Sequence, residues 1–158
     1  MKAHRDMSLE ELLEEERRLV FDRFDEDTAW ELGTMLVAEA RERKLAIAID
    51  VRRGARILFH AARPGTAEEN DRWIERKSRS VQRFGHSSYY IGRRLAALGM
   101  TIEQKYFVPA ADYAFHGGCF PISVKGVGMV GSVAVSGLSQ EEDHAMVTGA
   151  VRRMLGIE

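Results

Sequence analysis

The 158-residue chain has one cysteine, a net charge of −1 and no long apolar run, and each of these absences excludes a class of protein. A single cysteine, Cys119, excludes an intramolecular disulfide and a zinc site built from cysteines. Lys and Arg total 23 against 24 Asp and Glu, which argues against a nucleic-acid-binding surface and a polybasic membrane surface. No apolar run approaches the roughly 18 residues of a membrane span.

Residues 1–18 are charged and lack the apolar segment of a secretory signal, so a cytoplasmic location is expected. Apolar residues make up 45% of the chain, which is enough to bury a core and excludes disorder. The chain contains no linker, low-complexity tract or repeat. We therefore predict a single domain over residues 1–158.

The spacing of apolar residues predicts helices grouped around two β-hairpins. In chain order the predicted elements are a helix from Ser8, an extended segment over 18–24, a helix that starts within 25–28, a hairpin over 45–62, helices over 68–84 and 87–98, a hairpin over 120–136 and a helix from Ser139. Capping-box pairs mark the helices at Ser8, Thr28 and Ser139, and Trp30 is placed on an apolar helix face. Because hairpins pair antiparallel, this order predicts an α+β domain.

Residues 126–131 match the G-x-G-x-x-G motif of dinucleotide-binding proteins. That motif opens a helix, whereas here it continues into a β-patterned segment, so its glycines are assigned to a hairpin turn. The large face of this strand is predicted to hold Val127, Met129, Val133 and Val135. The opposite face is predicted to hold Val130 with the small residues Gly128, Ser132, Ala134 and Ser136. A helix, a subunit or a ligand can approach small residues closely, and a helix is the favoured occupant.

Three polar or aromatic residues stand out on the predicted elements before residue 100. Lys77 shares a helix face with Trp73, so its ammonium either pairs with a carboxylate, which is favoured, or binds an anionic ligand such as a propionate. Asp50 ends a predicted strand beside Arg52 and Arg53. Turn hydrogen bonding is favoured for its carboxylate over a role at a pocket rim.

The five histidines show no metal-binding spacing, so no metal site is predicted, although a site assembled from distant segments is left open. A structural role is favoured for His60 and for His86, which precedes a helix start. His116 is the exception, because Gly117 and Gly118 let a backbone approach a ligand closely.

Cys119 and Asp143 each have a catalytic and a structural interpretation. Cys119 is either a nucleophile with His116 as its base or a buried, inert thiol, which is favoured. Asp143 and His144 begin the last helix, where the dipole favours acidic residues. Neighbouring helical residues point about 100° apart, so this pair does not form an acid–base dyad.

The second half of the chain resembles the C-terminal signature of the haem-degrading-domain family, which includes GlcG-like and HbpS-like proteins and the C-terminal domain of PduO-type proteins. The segments that carry the resemblance are 116–122, Gly126, 130–137 and 142–143, with support from 47–50 and the helix around Lys77. The segments 59–61, 70–73, 83–88 and 112–118 are similar to those of the uncharacterised, non-secreted branch. A helical extension at about 1–24 is also typical of that branch.

The resemblance implies an α/β/α sandwich in which helices flank a five-stranded antiparallel profilin-like sheet. It also implies a homo-oligomer, and it makes haem a possible cofactor. In the leading hypothesis, a cytoplasmic oligomer binds a small ligand such as a tetrapyrrole. Its predicted site combines Asp50, His60, Trp73, Lys77, His86, His116, Gly117, Gly118 and Asp143. The alternatives are an enzyme that uses histidine acid–base chemistry around His116 and Asp143, and a homo-oligomeric adaptor for protein interactions.

Overall fold

The computed structural model describes residues 2–158, which form helices on both faces of one antiparallel sheet. The helices are α1 (Leu9–Arg18), α2 (Glu26–Arg43), α3 (Glu68–Phe84), α4 (Ser88–Leu98), α5 (Ile102–Tyr106) and α6 (Gln140–Leu155). The strands are β1 (Ala48–Arg53), β2 (Arg56–Ala62), β3 (Cys119–Val124) and β4 (Gly128–Ser136). The α+β class and the predicted order of elements are confirmed.

The sheet has the strand order β2-β1-β4-β3, so the described residues form four strands rather than the five expected. In place of a fifth strand, the segment between α1 and α2 lies beside β3. There the Phe21 N–H donates to the Ser123 carbonyl at 2.8 Å, and the Lys125 N–H donates to the Phe21 carbonyl at 2.9 Å. These bonds make a single parallel bridge, from Phe21 to Val124. The segment is extended as predicted, but it is too short to continue the ladder.

Alternation along the strands sends large and small side chains to opposite faces of the sheet. The large face packs under α2 and α6, and its strand residues include Ile49, Val51, Phe120, Ile122, Val133 and Val135. The small face packs under α3, where Ala48, Cys119 and Ala134 meet Ile74 and Val81. A helix therefore covers the small face, as favoured from the sequence.

Three sequence expectations about individual side chains are wrong. Trp30 is 63% exposed, and its ring packs edge-on against Phe59 of the edge strand β2 with centres 5.6 Å apart. Val127 is 71% exposed, because it lies in the turn before β4, beyond the packed part of the sheet. The cap of α2 is Asp25, whose carboxylate accepts from the Thr28 N–H at 2.8 Å, so Thr28 lies inside the helix.

Within residues 2–158, no helix combines the length and the apolar content needed to cross a bilayer.

Candidate functional site

A cavity of about 320 Å³ opens between α3, the start of α6 and the loop before β3. It is lined by Asn70, Trp73, Lys77, His116, Gly117, Ser136, Gly137, Leu138, Gln140 and Asp143. Five of the nine predicted site residues are in this wall, and Gly118 lies directly behind Lys77. The convergence comes from three local structures: one face of α3, a loop ending at β3, and the first turn of α6.

The first wall is a face of α3, on which Asn70, Trp73 and Lys77 follow one another at helical spacing. The neighbouring Arg76 holds the loop against this helix, because its guanidinium donates to the Ala110 carbonyl at 2.8 and 3.1 Å. The same guanidinium lies 4.5 Å from the centre of the Trp73 ring. Cation–π contact thus fixes the indole in the cavity wall.

Lys77 and Asp143 form a buried ion pair at the floor of the cavity. The Lys77 Nζ donates to Asp143 Oδ2 at 3.3 Å and to the Val135 carbonyl at 3.2 Å. The other carboxylate oxygen, Oδ1, accepts from the Leu138 N–H at 3.0 Å. The carboxylate partner favoured for Lys77 from its position on the helix is therefore present.

Burial shifts the pKa values of this pair toward each other. Burial lowers the pKa of the Lys77 amine, and the nearby Asp143 carboxylate only partly opposes this. Burial also raises the pKa of Asp143 to about 6, against the opposing effect of Lys77. Both shifts favour the uncharged forms, since burial penalises charge. Burial of both groups therefore brings the proton affinities of the Lys77 nitrogen and the Asp143 oxygen closer together.

His116 lies at the rim of the cavity, exposed to solvent and packed edge-on against Trp73 with ring centres 5.1 Å apart. Desolvation lowers its pKa, and the positive charges of Lys77 and Arg76 lower it further. Its imidazole is therefore neutral near pH 7. A neutral, accessible imidazole can accept a proton or bind a metal centre of a ligand.

Gly117 and Gly118 are required by close packing of the protein on itself. A Cβ at Gly117 would lie 2.2 Å from the Gln140 carbonyl. Gly118 has φ +131°, and a Cβ there would lie 2.4 Å from the Val135 carbonyl and 2.6 Å from Lys77 Nζ. The glycine pair thus lets the loop lie against α6, β4 and the ion pair, in addition to its predicted role toward a ligand.

Asp50 and His60 lie outside the cavity, in a separate polar cluster that joins β1, β2 and α3. Asp50 accepts from Arg52 Nε at 2.6 Å and contacts His60 Nδ1 at 2.9 Å, while His60 Nε2 is 3.1 Å from Asp71. The turn role favoured for Asp50 is wrong. The strand β1 continues to Arg53, so Asp50 lies in mid-strand and is 1% exposed.

His86 is also distant from the cavity, and it bonds to α1. Its Nδ1 lies 2.7 Å from Glu16 Oε2, and the Ser87 N–H donates to Glu16 Oε1 at 2.6 Å. The capping role expected at this helix start belongs to Ser87, whose hydroxyl accepts from the Tyr90 N–H at 3.0 Å. The histidine instead ties the N-terminal extension to α4.

His144 belongs to a second polar group, the N-terminal cluster, which comprises His4, Glu15, His144 and Arg152. Glu15 is contacted by His4 Nε2 at 2.9 Å, His144 Nε2 at 3.0 Å and Arg152 Nη2 at 2.9 Å. His4, Glu15 and His144 are close enough to share a metal ion. However, Arg152 already supplies the positive charge that Glu15 needs. Asp143 and His144 therefore point to different clusters, as predicted.

Opposing effects set the charges inside the N-terminal cluster. Burial works to raise the pKa of Glu15, but hydrogen bonds from His144 and His4 outweigh it and lower the pKa well below its usual range. Burial lowers the pKa of His144, although Glu15 opposes the shift. Arg152, whose Nη2 lies 2.9 Å from Glu15 Oε2, places a permanent positive charge beside the ionised carboxylate.

Cys119 is a poor nucleophile in this fold. It is fully buried, and burial raises the pKa of its thiol to about 12. Its Sγ lies 3.9 Å from the Ser78 hydroxyl. The inert interpretation of Cys119 is therefore the one that the geometry supports.

Sequence reasoning missed half of the cavity wall. Asn70 has a sequence signal, since it lies seven residues before Lys77 on the same helix face. The other missed residues are Ser136, Gly137, Leu138 and Gln140, which connect β4 to α6. Their contribution depends on where that connection lies relative to α3, and local spacing carries no such information.

Comparison with known proteins agrees with this architecture. Residues 24–152 match the family described as "Haem degrading protein HbpS-like". A UPF0303 protein of Streptomyces coelicolor is 53% identical over 146 residues, 92% of each chain. The crystal structure of the Ybr137w protein is similar at a TM-score of 0.89 and 35% identity, over 96% of this chain and 89% of that one.

A more distant solved structure shares the fold alone. The crystal structure of a PduOC:heme complex matches with a TM-score of 0.66 and 14% identity, over 84% of this chain and 94% of that one. The family match covers most of the chain, and the relatives above 30% identity cover nearly all of it. The resemblance inferred from the sequence is therefore confirmed, and the chain belongs to the HbpS-like family of haem degrading proteins.

Proposed function

We propose that the cavity beside Trp73 binds a small ligand and that haem is the first ligand to test. The observation that carries the proposal is the convergence of Trp73, Lys77, His116 and Asp143 on one cavity. A pocket of about 320 Å³ lies in the size range of small-ligand sites. Perturbed pKa values in a cleft are typical of functional sites.

The residues of the cavity suit part of a haem. His116 offers a neutral imidazole for iron, Trp73 offers a flat apolar wall, and the Lys77 ammonium offers charge for a propionate. The whole macrocycle is larger than the cavity, so an edge of the ring would enter and the rest would remain at the open rim. Bound haem would supply a redox-active iron, and His116 is the residue that would hold it.

Haem binding is tested by titrating the purified protein with haemin and following the Soret band. We expect a saturable shift in the wild type and at least a ten-fold weaker affinity in His116→Ala. His60→Ala and His86→Ala serve as matched controls, because both histidines lie outside the cavity, and we expect both to keep wild-type affinity. No Soret shift, or a shift that His116→Ala leaves unchanged, would contradict the haem proposal.

We further propose that the protein acts as a cytoplasmic homo-oligomer. The support is the outer edge of β2, which pairs with no other strand of residues 2–158 and beside which Trp30 and Ile57 are 63% and 52% exposed. Exposed apolar side chains on a free strand edge favour self-association. Native mass spectrometry of the haemin-treated sample reports subunit number and haem content together. A monomer at micromolar concentration would overturn the oligomer.

A further inference from the structure

The floor of the cavity holds a buried amine beside a carboxyl group. Lys77 is 3% exposed, and its Nζ has two acceptors within the described residues, the Asp143 carboxylate and the Val135 carbonyl. Both distances exceed 3.1 Å, which is long for a charged donor. An ammonium has three N–H donors. One direction on the nitrogen is therefore free beside a cavity that a small molecule can enter.

We propose that Lys77 is a nucleophilic amine that forms a reversible Schiff base with a small aldehyde or ketone held in the cavity. The proposal rests on the proposed function, since it requires that the cavity binds a small ligand. The ligand class follows from the amine, because a neutral amine adds reversibly to the carbonyl carbon of an aldehyde or ketone without an oxidant or a reductant. The missing side chain of Gly118 leaves Nζ room to move, because a Cβ there would lie 2.6 Å from it.

Asp143 provides the proton transfers that the step needs. The Lys77 ammonium first passes a proton to the Asp143 carboxylate, and burial of both groups favours that transfer. The neutral amine nitrogen then attacks the carbonyl carbon, and the carbon–oxygen π electrons move to oxygen. A proton moves from nitrogen to that oxygen, which gives a carbinolamine.

Dehydration completes the step. The protonated Asp143 gives its proton to the hydroxyl group, the carbon–oxygen bond breaks, and one water molecule leaves. The product is a protonated imine that pairs with the Asp143 carboxylate in place of the original ammonium. Amine and carbonyl become imine and water, so atoms and charge balance and no oxidant or reductant is needed.

Reductive trapping tests the proposal on the whole protein. The protein is incubated at pH 7 with butanal or with pyruvate and sodium cyanoborohydride, and the modified lysines are quantified by peptide mass spectrometry. The chain provides its own control in Lys125, whose side chain is 71% exposed and lies 3.1 Å from Asp22. We expect Lys77 to be alkylated at least ten-fold faster than Lys125 by one of the two probes. Pyruvate preference would indicate an anionic ligand, and butanal preference a neutral one.

The pH profile separates a reactive amine from an accidental adduct. An exposed lysine has a pKa of about 10.4, so its labelling rises steeply up to that pH. Because the pKa of Lys77 is lowered, its labelling rate is expected to level off at a lower pH than that of Lys125. The ratio of the Lys77 rate to the Lys125 rate should therefore fall as pH rises. Lys77→Arg keeps the positive charge and is expected to lose the adduct, with labelling of Lys125 unchanged.

The outcomes distinguish this proposal from the haem proposal. An unmodified Lys77 in a protein whose Lys125 is alkylated overturns the Schiff base and leaves Lys77 as a structural ion pair. If haemin binding depends on His116 in that same sample, ligand binding at the cavity stands without carbonyl chemistry. If Lys77 is trapped while haemin produces no Soret shift, the cavity binds a carbonyl compound and haem is excluded as its ligand.

Discussion

Asp143 and His144 are neighbours in α6, yet they belong to two polar clusters of opposite character. Asp143 faces the cavity, where its carboxylate has one side-chain partner, the buried Lys77 amine, and one backbone partner, the Leu138 N–H. His144 faces the N-terminal cluster, where Glu15 is surrounded by three donors and is 3% exposed. Both clusters are buried and both adjoin a cavity, since Glu15 and Arg152 line one of about 210 Å³. They therefore differ in the number of side chains that hold the carboxylate, and not in whether space lies beside it.

The two clusters also shift pKa values in opposite directions. In the N-terminal cluster, hydrogen bonds overcome burial and keep the Glu15 carboxylate ionised. In the cavity, burial overcomes the Lys77 charge and raises the pKa of Asp143 to about 6. Within the described residues Glu15 has three side-chain partners and Asp143 has one, and this difference accompanies the opposite directions of the two pKa shifts.

The largest expected effect is a loss of stability when the N-terminal cluster is altered. Glu15→Gln removes a buried charge that holds Arg152 and two imidazoles, so Arg152 remains partly buried without its partner. Removing one member of a buried ion pair costs about 3–5 kcal/mol. We expect that loss in the free energy of unfolding, measured by urea denaturation at pH 7.

The control for Glu15→Gln is its neighbour in the same helix. Glu14 is 56% exposed and bonds Arg17 at 2.8 Å, and such surface pairs contribute less than about 1 kcal/mol. Glu14→Gln should therefore be nearly silent. Equal losses for the two variants would show that the N-terminal cluster contributes no more than a surface pair.

A smaller and pH-dependent effect is expected in the cavity. Lys77→Met removes the positive charge that lowers the pKa of Asp143, so the pKa of Asp143 rises further. An acid with a raised pKa in the folded state makes the fold less stable as pH rises from its ordinary pKa to its folded pKa. In the wild type, this loss of stability ends near pH 6, at the pKa of Asp143. In Lys77→Met, the free energy of unfolding continues to fall above pH 6, at up to about 1.4 kcal/mol per pH unit.

Relative to wild type, the free energy of unfolding of Lys77→Met should therefore fall by about 1–3 kcal/mol between pH 5 and pH 8. Urea denaturation at the two pH values measures it. Lys125→Met, at an exposed pair, is the control and should show no such slope. A pH-independent difference would mean that Asp143 keeps its charge without Lys77.

Local spacing could predict the cavity in part and the N-terminal cluster hardly at all. Lys77 on an apolar helix face indicates a buried partner, and the glycines before Cys119 indicate close packing, because both signals lie within a few residues. Glu15 lies in the sequence among other acidic residues of α1 and is 129 residues away from His144. Its three partners come from other elements, so its burial is a property of the tertiary structure.

The same limit explains the errors at Trp30 and Asp50. Helical periodicity places Trp30 on a face, but whether a neighbouring element covers that face depends on the width of the sheet. Four strands end at β2 and leave the indole exposed. Asp50 precedes two arginines that look like a turn, yet β1 extends through them to pair with β4. Asp50 therefore pairs with groups under α3 and not with a turn.

The smallest expected effect concerns the second histidine–glutamate pair that ties α1 to the rest of the molecule. His86 lies 2.7 Å from Glu16, but its side chain is 40% exposed, and Glu16 keeps its bond from the Ser87 N–H when the imidazole is removed. His86→Ala should therefore cost only about 0.5 kcal/mol in urea denaturation. A loss as large as that of Glu15→Gln would show that α1 is held equally by both pairs. The relevant comparison would then be between the cavity and all the contacts that hold α1, at Glu15 and at Glu16. It would no longer be between Asp143 and His144.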